Sequence, residues 1–184
     1  MTKKKALIYL IIFIVAVWGS AIFRYFILSD PAKNLSPECK MVVSTQCQQY
    51  VLKISAEKKY EEAVEIQKVR IKENKSILKF YKSKLSDKSL LKMNTKEAEN
   101  SLIPRIDTQD GKKDYYLLKT AEFTVKDILT DSFAVSQIQY SEFKDKKAAM
   151  KTLKQAEKVL KQNTYISNRD ELFKLIEKEM SEIK

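Results

Sequence analysis

Two cysteines offer the clearest chemistry among the residue types of this chain. Cys39 and Cys47 are its only cysteines, eight positions apart. On one continuous helix they would stand about 12 Å apart, whereas a disulfide needs Cα atoms within about 7 Å. A turn between them would bring the thiols together, and an even cysteine count in an exported domain favours pairing. We therefore predict a Cys39–Cys47 disulfide, with two separate buried thiols as the alternative; a zinc site is disfavoured because histidine is absent.

No pattern typical of a catalytic site occurs elsewhere. Without histidine there is no Ser-His-Asp or Cys-His catalysis, and two glycines cannot build a phosphate-binding loop. Adjacent carboxylates such as Glu61 and Glu62 lie among lysines, where surface salt bridges explain them. Asp107, Asp110 and Asp114 lack the spacing of a calcium loop, and a turn followed by a helix start at Asp114 explains them. We predict no cofactor, no metal and no enzymatic activity, with a membrane-bound enzyme of unrecognised site as an alternative.

The composition predicts an all-α protein with a strongly charged surface. Glycine and proline number only 2 and 3, too few for the turns of a sheet protein, while 32% of the residues are charged. The net charge of +11 comes from basic and acidic residues that are interleaved along the chain, as on solvated helix faces. No dense basic block with interleaved aromatic residues occurs, so we predict no nucleic-acid partner and identify no small-molecule substrate.

The first 28 residues predict a transmembrane signal-anchor. Three lysines at 3–5 precede the apolar run 6–23, which as a helix spans about 27 Å, close to the thickness of a hydrocarbon core. Arg24 can reach the headgroups, and Trp18 and Tyr25 suit the membrane interface. Because the lysines hold the N-terminus in the cytoplasm, we expect this helix to bind membrane lipid and the rest of the chain to lie outside, at a bacterial inner membrane.

A cleaved signal peptide is the main alternative to the anchor. Gly19 and Ala21 have the small-residue spacing that a signal peptidase recognises. Cleavage there would leave a mature chain that begins with the apolar string 22–28 exposed to water, which favours the anchor. Another alternative is a basic domain that faces the cytoplasm and binds anionic lipid.

These patterns divide the chain into three segments. Residues 1–28 form the lysine cluster and the anchor, 29–40 form a linker that contains two prolines, and 41–184 form one extracytoplasmic helical domain. The clearest helical signal lies between residues 60 and 85, where two lines of residues recur every seven positions. The first line is Val64, Ile71, Leu78 and Leu85, and the second is Tyr60, Gln67, Asn74 and Tyr81.

The breadth of this apolar stripe favours an antiparallel helical bundle or helical hairpin over an extended coiled coil. Additional apolar residues widen the two lines, as in a helix that contacts several neighbours. Gln67 and Asn74 either set the register of the seam or point to solvent. Further along, Asn94 and Glu97 have capping-box spacing, and a break in the helical pattern is expected near Asp131.

Two short segments resemble tetratricopeptide helices. These are "KKYEEAVEIQKV" and "KDKKAAMKTLKQAEKVL", and each resemblance covers about a dozen residues or slightly more. No full period of about 34 residues can be traced, so a tetratricopeptide-like domain is an architectural alternative and no family is assigned. The second segment contains a clean apolar stripe of 4-3-4 spacing, formed by Ala149, Leu153, Ala156 and Leu160.

Two aromatic pairs are the candidate partner-binding residues. Tyr115 with Tyr116, and Tyr140 with Phe143, could line a groove for a partner helix, although such side chains more often belong to a core. Together with the anchor they predict a membrane-anchored, non-enzymatic interaction or scaffold module that docks an unidentified envelope protein. The assembly would be of the secretion, pilus or division type. The alternative is a soluble exported helical binding protein, released by cleavage near Ala21.

Overall fold

The described part of the chain is an all-α bundle. A computed structural model describes Cys39 and residues 41–183. The predicted anchor with Trp18, Arg24 and Tyr25, and nearly all of the linker, lie outside the described residues. Within the described part, no helix has both the length and the apolar character needed to span a bilayer.

Six α-helices and two short 3-10 helices make up this part of the chain. The 3-10 helices are Lys88–Lys92 and Ile103–Arg105. The α-helices are α1 (Thr45–Ala56), α2 (Tyr60–Lys84), α3 (Thr95–Leu102), α4 (Gln109–Ser141), α5 (Lys146–Lys161) and α6 (Arg169–Ile183).

The long helix α4 is the centre of the bundle. Helices α2 and α5 both pack along it, α1 packs on α2, and α6 packs on α5. Arg70 of α2 contacts Asp131 of α4, and the chain just after α2 contacts Asp114, so the two helices run antiparallel. With 25 and 33 residues, α2 and α4 are each longer than either helix of a two-helix repeat of about 34 residues.

The main core lies where α2, α4, α5 and α6 meet. Its largest fully buried side chains include Tyr165, Ile128 and Ile176, each at most 1% exposed. Burial of an aliphatic or aromatic side chain of this size contributes about 1.5–3 kcal/mol. The predicted 4-3-4 stripe of α5 is confirmed as buried, because Ala149, Leu153, Ala156 and Leu160 are all at most 1% exposed.

Side-chain caps explain where several helices begin. Asn94 accepts a hydrogen bond from the Glu97 amide, and Glu97 accepts one from the Asn94 amide, which confirms the predicted capping box at α3. Ser44 caps α1 and Asp145 caps α5 through bonds from amides three residues on. These contacts satisfy amides that the first helical turn leaves without partners.

Two sequence-based boundaries in α4 are wrong. The helix begins at Gln109, where Thr108 accepts a hydrogen bond from the Gly111 amide, and not at Asp114. Asp114 lies inside the helix, is 1% exposed, and accepts hydrogen bonds from the backbone amides of residues 86 and 87. The expected break near Asp131 is also absent from α4, because the polar side chains there are used in internal contacts.

Gly111 marks the closest backbone approach at the start of α4. A Cβ atom built on it would lie 1.9 Å from the carbonyl oxygen of Arg105, in the preceding 3-10 helix. Only a residue without a side chain fits there, unless the backbone of that turn moves.

Replacing Gly111 with alanine is therefore expected to lower the free energy of unfolding by about 1–3 kcal/mol, as in an overpacked core. Urea unfolding of the two proteins measures the difference. Lys112→Ala, at the exposed neighbouring position, is the control and should change stability by less than about 0.5 kcal/mol. Equal stability of the wild type and Gly111→Ala would show that the turn adjusts freely.

The Cys39–Cys47 disulfide that the sequence predicts is present. The two Cα atoms are 4.5 Å apart and both residues are fully buried. The bridge belongs to a second apolar cluster, between α1, α2 and α4, which also contains Ile54 and Ile66 and against which Ile138 packs. The disulfide therefore fixes the start of the described chain to the side of the bundle.

A buried ion pair holds the same segment. The Nε atom of Arg70 lies 3.1 and 3.2 Å from the two carboxylate oxygens of Asp131, and both side chains are nearly inaccessible. The Nη1 atom of Arg70 also donates to the carbonyl oxygens of Val42, at 2.6 Å, and Ser44, at 3.3 Å. Burial raises the pKa of Asp131 to about 6, and the attraction of Arg70 offsets part of that rise.

Candidate docking groove

An open groove runs between α2 and α5 and has α4 as its floor. Both helices pack on α4, and the space between their outer sides consists of two adjoining depressions of about 750 and 530 Å³. Lys75, Lys79, Gln155 and Val159 line both depressions, so they form one continuous feature. We call it the lysine groove and define it by the residues that line these two depressions.

The bottom of the lysine groove is mostly apolar. On α4 it is formed by Ile128, Ser132, Val135 and Gln139, and the partly exposed Ile71 of α2 and Val159 of α5 lie beside them. Ile128, Val135 and Ala156 are at most 1% exposed and belong to the packed interior, so the floor is rigid. An apolar floor of this kind favours a ligand that has an apolar face of its own.

The walls of the lysine groove are basic. On α2 the lysines recur with 4-3-4-3 spacing, which places them on one side of the helix. On α5 two lysines alternate with two glutamines at 4-3-4 spacing along the opposite wall. The seven lysines are Lys68, Lys72, Lys75, Lys79, Lys82, Lys151 and Lys158.

These lysines have no anionic partners within the described part of the protein. No aspartate or glutamate lines the groove, and none of the seven lysines takes part in an ion pair there. Like charges three or four positions apart on a helix cost about 0.2–0.5 kcal/mol per pair. The wall of α2 thus lowers the stability of the free protein, and an anionic ligand would relieve that repulsion.

Lys82 is the least exposed of the seven lysines and lies beside Tyr165 of the main core. Its Nζ atom is 5.8 Å from the centre of the Tyr165 ring, which is within range of a cation–π contact. Partial burial lowers the pKa of Lys82, because the charged form loses solvation. A carboxylate placed here would therefore meet a cation that water solvates incompletely.

The four predicted partner-binding residues do not meet at one site. Tyr115 and Tyr116 form an edge-to-face pair near the start of α4, where Tyr115 packs on the core and Tyr116 is 61% exposed. Tyr140 packs on a small cluster with α5 and α6 near the other end, and Phe143 is 39% exposed just beyond it. Along the helix, Tyr116 and Tyr140 are about 36 Å apart.

A polar cluster at Glu122 is the nearest approach to a catalytic arrangement in the described residues. Glu122 accepts hydrogen bonds from the amide and hydroxyl of Ser167, and Lys126 lies 2.9 Å from both Glu122 and the Ser167 hydroxyl oxygen. Burial alone would raise the pKa of Glu122, but the bonds from Ser167 and Lys126 outweigh it, so the pKa is lowered.

The same contacts make this cluster a poor nucleophilic centre. A serine nucleophile needs a base that readily takes up its proton, and the lowered pKa of Glu122 makes its carboxylate a weak one. What the cluster does is join the loop between α5 and α6 to the middle of α4. The other buried carboxylates, Asp114 and Asp131, are likewise bonded to parts of the fold.

The lysine groove was not predicted from the sequence, although part of its signal is local. The five lysines of α2 follow a 4-3-4-3 spacing in the sequence, which places them on one face of a helix, and no acidic residue occupies a position of that series. Neighbouring acidic residues along the chain conceal this series, since Glu73 falls between these lysines in sequence and Glu65 lies just before them. The opposite wall, more than 65 residues further along the chain, depends on the fold.

Comparison of the chain with protein-family models, curated proteins and solved structures finds no match. The function therefore has to be argued from the geometry of the lysine groove and from the sequence.

Proposed function

We propose that this chain is a membrane-anchored, non-enzymatic docking module of a cell envelope. In this proposal the segment 1–28 is a signal-anchor, and the helical domain 41–184 lies outside the membrane and binds a protein of an envelope assembly. The lysine groove carries the proposal, because it is a preformed, apolar-floored and charged surface that the fold itself does not need.

The mechanism is geometric. An anchor confines the domain to the membrane surface, which raises its effective concentration near partners that are also bound there. The disulfide and the Arg70 contacts to Val42 and Ser44 support this role, since they join the start of the described chain firmly to the bundle.

Site-specific photocrosslinking in native membranes tests the proposal. The full-length chain carries a photoreactive residue in place of Gln155, which lines both halves of the groove, or in place of its exposed neighbour Lys154, which does not line it. We expect one defined protein adduct from position 155, little or none from 154, and loss of the adduct when Lys75→Glu is added. Equal adducts at both positions, or adducts with lipid alone, would contradict docking through the groove.

The state of the N-terminus tests the anchor separately. We expect the chain to remain in the membrane fraction after an alkaline wash and to retain its first 28 residues. Native protein that begins at Ile22 would instead support the exported, soluble alternative. A membrane-bound enzyme stays a weaker alternative, because each buried carboxylate of the described residues is engaged in holding the fold together.

A further inference from the structure

We propose that the ligand of the lysine groove is a single acidic, amphipathic α-helix of a partner protein. This inference rests on the proposed function and specifies the chemistry of the partner. The apolar face of that helix would lie on the partly exposed side chains of Ile71 and Val159, above the buried Ile128 and Val135. Its carboxylates would lie along both edges, against the lysines of α2 and α5.

The dimensions of the groove suit a helix. From Lys68 to Lys82, its α2 wall is about 21 Å long, which corresponds to about 14 helical residues or four turns. The lysines of α2 repeat every seven residues along each of two lines. A helix with apolar residues at a and d and acids at e and g repeats its charges with the same period.

The combination of floor and walls favours a protein helix over other anions. Nucleic acid would use the lysines but would leave the partly exposed Ile71 and Val159 uncovered. A lipid could use both, but the groove is open along its length and does not enclose an acyl chain. An amphipathic helix covers the floor and pairs with both walls, as in other helix-in-groove complexes.

The occupant does not match other segments of this chain. The segment 1–28 has four basic residues and no acidic ones, so its charge has the same sign as the groove. The most acid-rich helix, α6, already buries Ile176 and Ile183 against its own bundle. A partner of different sequence is therefore the better complement.

A binding assay with the full-length chain in nanodiscs of zwitterionic lipid tests the inference. The probe is a fluorescent peptide of about 16 residues with leucine or isoleucine at heptad positions a and d and glutamate at e and g, followed by anisotropy. We expect saturable binding that weakens with added salt. Lys75→Glu combined with Lys151→Glu should weaken it at least about tenfold, since each lost charge-assisted contact removes part of the affinity.

Three controls make the result specific. Lys113→Glu with Lys154→Glu makes the same charge change at exposed positions outside the groove and should change affinity less than about twofold. Two control peptides should bind at least about tenfold more weakly. One has the same sequence except for a central proline, and the other has lysine in place of glutamate. The groove variant must remain folded, and its melting temperature should equal or exceed that of the wild type, because Lys75→Glu replaces repulsion by attraction to Lys72 and Lys79.

Several outcomes would overturn the inference. Equal binding of the proline peptide would show attraction to any polyanion, and equal displacement by DNA or phosphatidylglycerol vesicles would show a nucleic-acid or lipid site. Light scattering that detects a dimer sensitive to Lys75→Glu would identify a second copy as the occupant.

If crosslinking from position 155 succeeds while the acidic peptide does not bind, docking through the groove is supported and the acidic helix is excluded. If the peptide binds but no membrane partner is crosslinked, the proposed function fails instead.

Discussion

Replacing Arg70 with methionine is expected to lower the free energy of unfolding by about 3–5 kcal/mol at pH 7. The substitution leaves the carboxyl group of Asp131 buried and without its donor, so that its ionisation at pH 7 becomes unfavourable, and it also removes the donor to the carbonyl oxygens of Val42 and Ser44. Both side chains are nearly inaccessible, at 4% and 6%, so water cannot replace the lost contacts. Denaturant unfolding of the full-length chain measures the change.

The partner substitution is expected to have a smaller effect. In Asp131→Asn, Arg70 keeps its hydrogen bonds to the carbonyl oxygens of Val42 and Ser44. The amide oxygen of the new asparagine can still accept a hydrogen bond from the Nε atom of Arg70. Because burial raises the pKa of Asp131 to about 6, the site disfavours the charged form relative to water, and this offsets part of the attraction that a neutral amide loses. Asp131→Asn should therefore cost about 1 kcal/mol, the worth of an ordinary hydrogen bond, and should recover part of the loss when added to Arg70→Met.

The pH dependence has a definite sign. The pKa of Asp131 is about 6 in the folded protein and 3.8 in the unfolded reference, so between these values the folded state binds more protons. The contribution of this group to the free energy of unfolding therefore falls as the pH rises from about 4 to about 6. Without Arg70 the pKa of Asp131 rises further. The difference in unfolding free energy between the wild type and Arg70→Met should therefore grow as the pH rises above about 6.

A surface pair provides the matched control for these variants. Arg105 and Asp87 are also 3.1 Å apart, but their side chains are 40% and 27% exposed. Arg105→Met should cost less than about 1 kcal/mol, because water screens an exposed pair and solvates the remaining carboxylate. Similar losses for Arg70→Met and Arg105→Met would contradict the assigned importance of burial.

Removing the disulfide is expected to cost about 2–3 kcal/mol. Cys39→Ala with Cys47→Ala opens a loop of about eight residues. Without the crosslink the unfolded chain gains conformational entropy, and for a loop of this length that gain lowers the free energy of unfolding by about this amount. Alanine avoids placing a hydroxyl at two positions that are fully buried. Urea unfolding of this variant, and of the wild type with and without reductant, measures the difference.

The disulfide and Arg70 should act together. Val42 and Ser44, whose carbonyl oxygens bind Arg70, lie inside the disulfide loop. Combining Arg70→Met with the double alanine variant should therefore cost less than the sum of the separate losses, since each contact orders the same backbone. Val43→Ala, at a partly exposed position of that loop, should change stability by less than about 1 kcal/mol. Strict additivity would show that the two contacts are independent.

Patterns within one or two helical turns could be predicted from the sequence. The helical class, the capping box at Asn94, the buried stripe of α5 and the cysteine pairing all depend on residues that are close in the chain. The seam of α2 was also predicted. Its Gln67 and Asn74 are only 5% and 3% exposed, so they do not point to solvent. Their positions follow from helical periodicity, which is a local property.

Contacts between distant segments decided the rest. A helix break was predicted near Asp131 because polar residues favour breaks locally. In the structure α4 is continuous there, since Arg70, 61 positions away, is the partner of Asp131. Asp114 looked like a helix start until the amides of residues 86 and 87 were brought to it.

By itself, the sequence determined that the described domain is helical and where several of its helices lie, and it favoured the pairing of its cysteines that the structure contains. The tertiary structure decided that lysines of α2 and α5 face each other across α4 as one basic groove. The physical reason is that periodicity and capping act over a few residues, whereas a groove exists only after the apolar faces of separate helices have packed together.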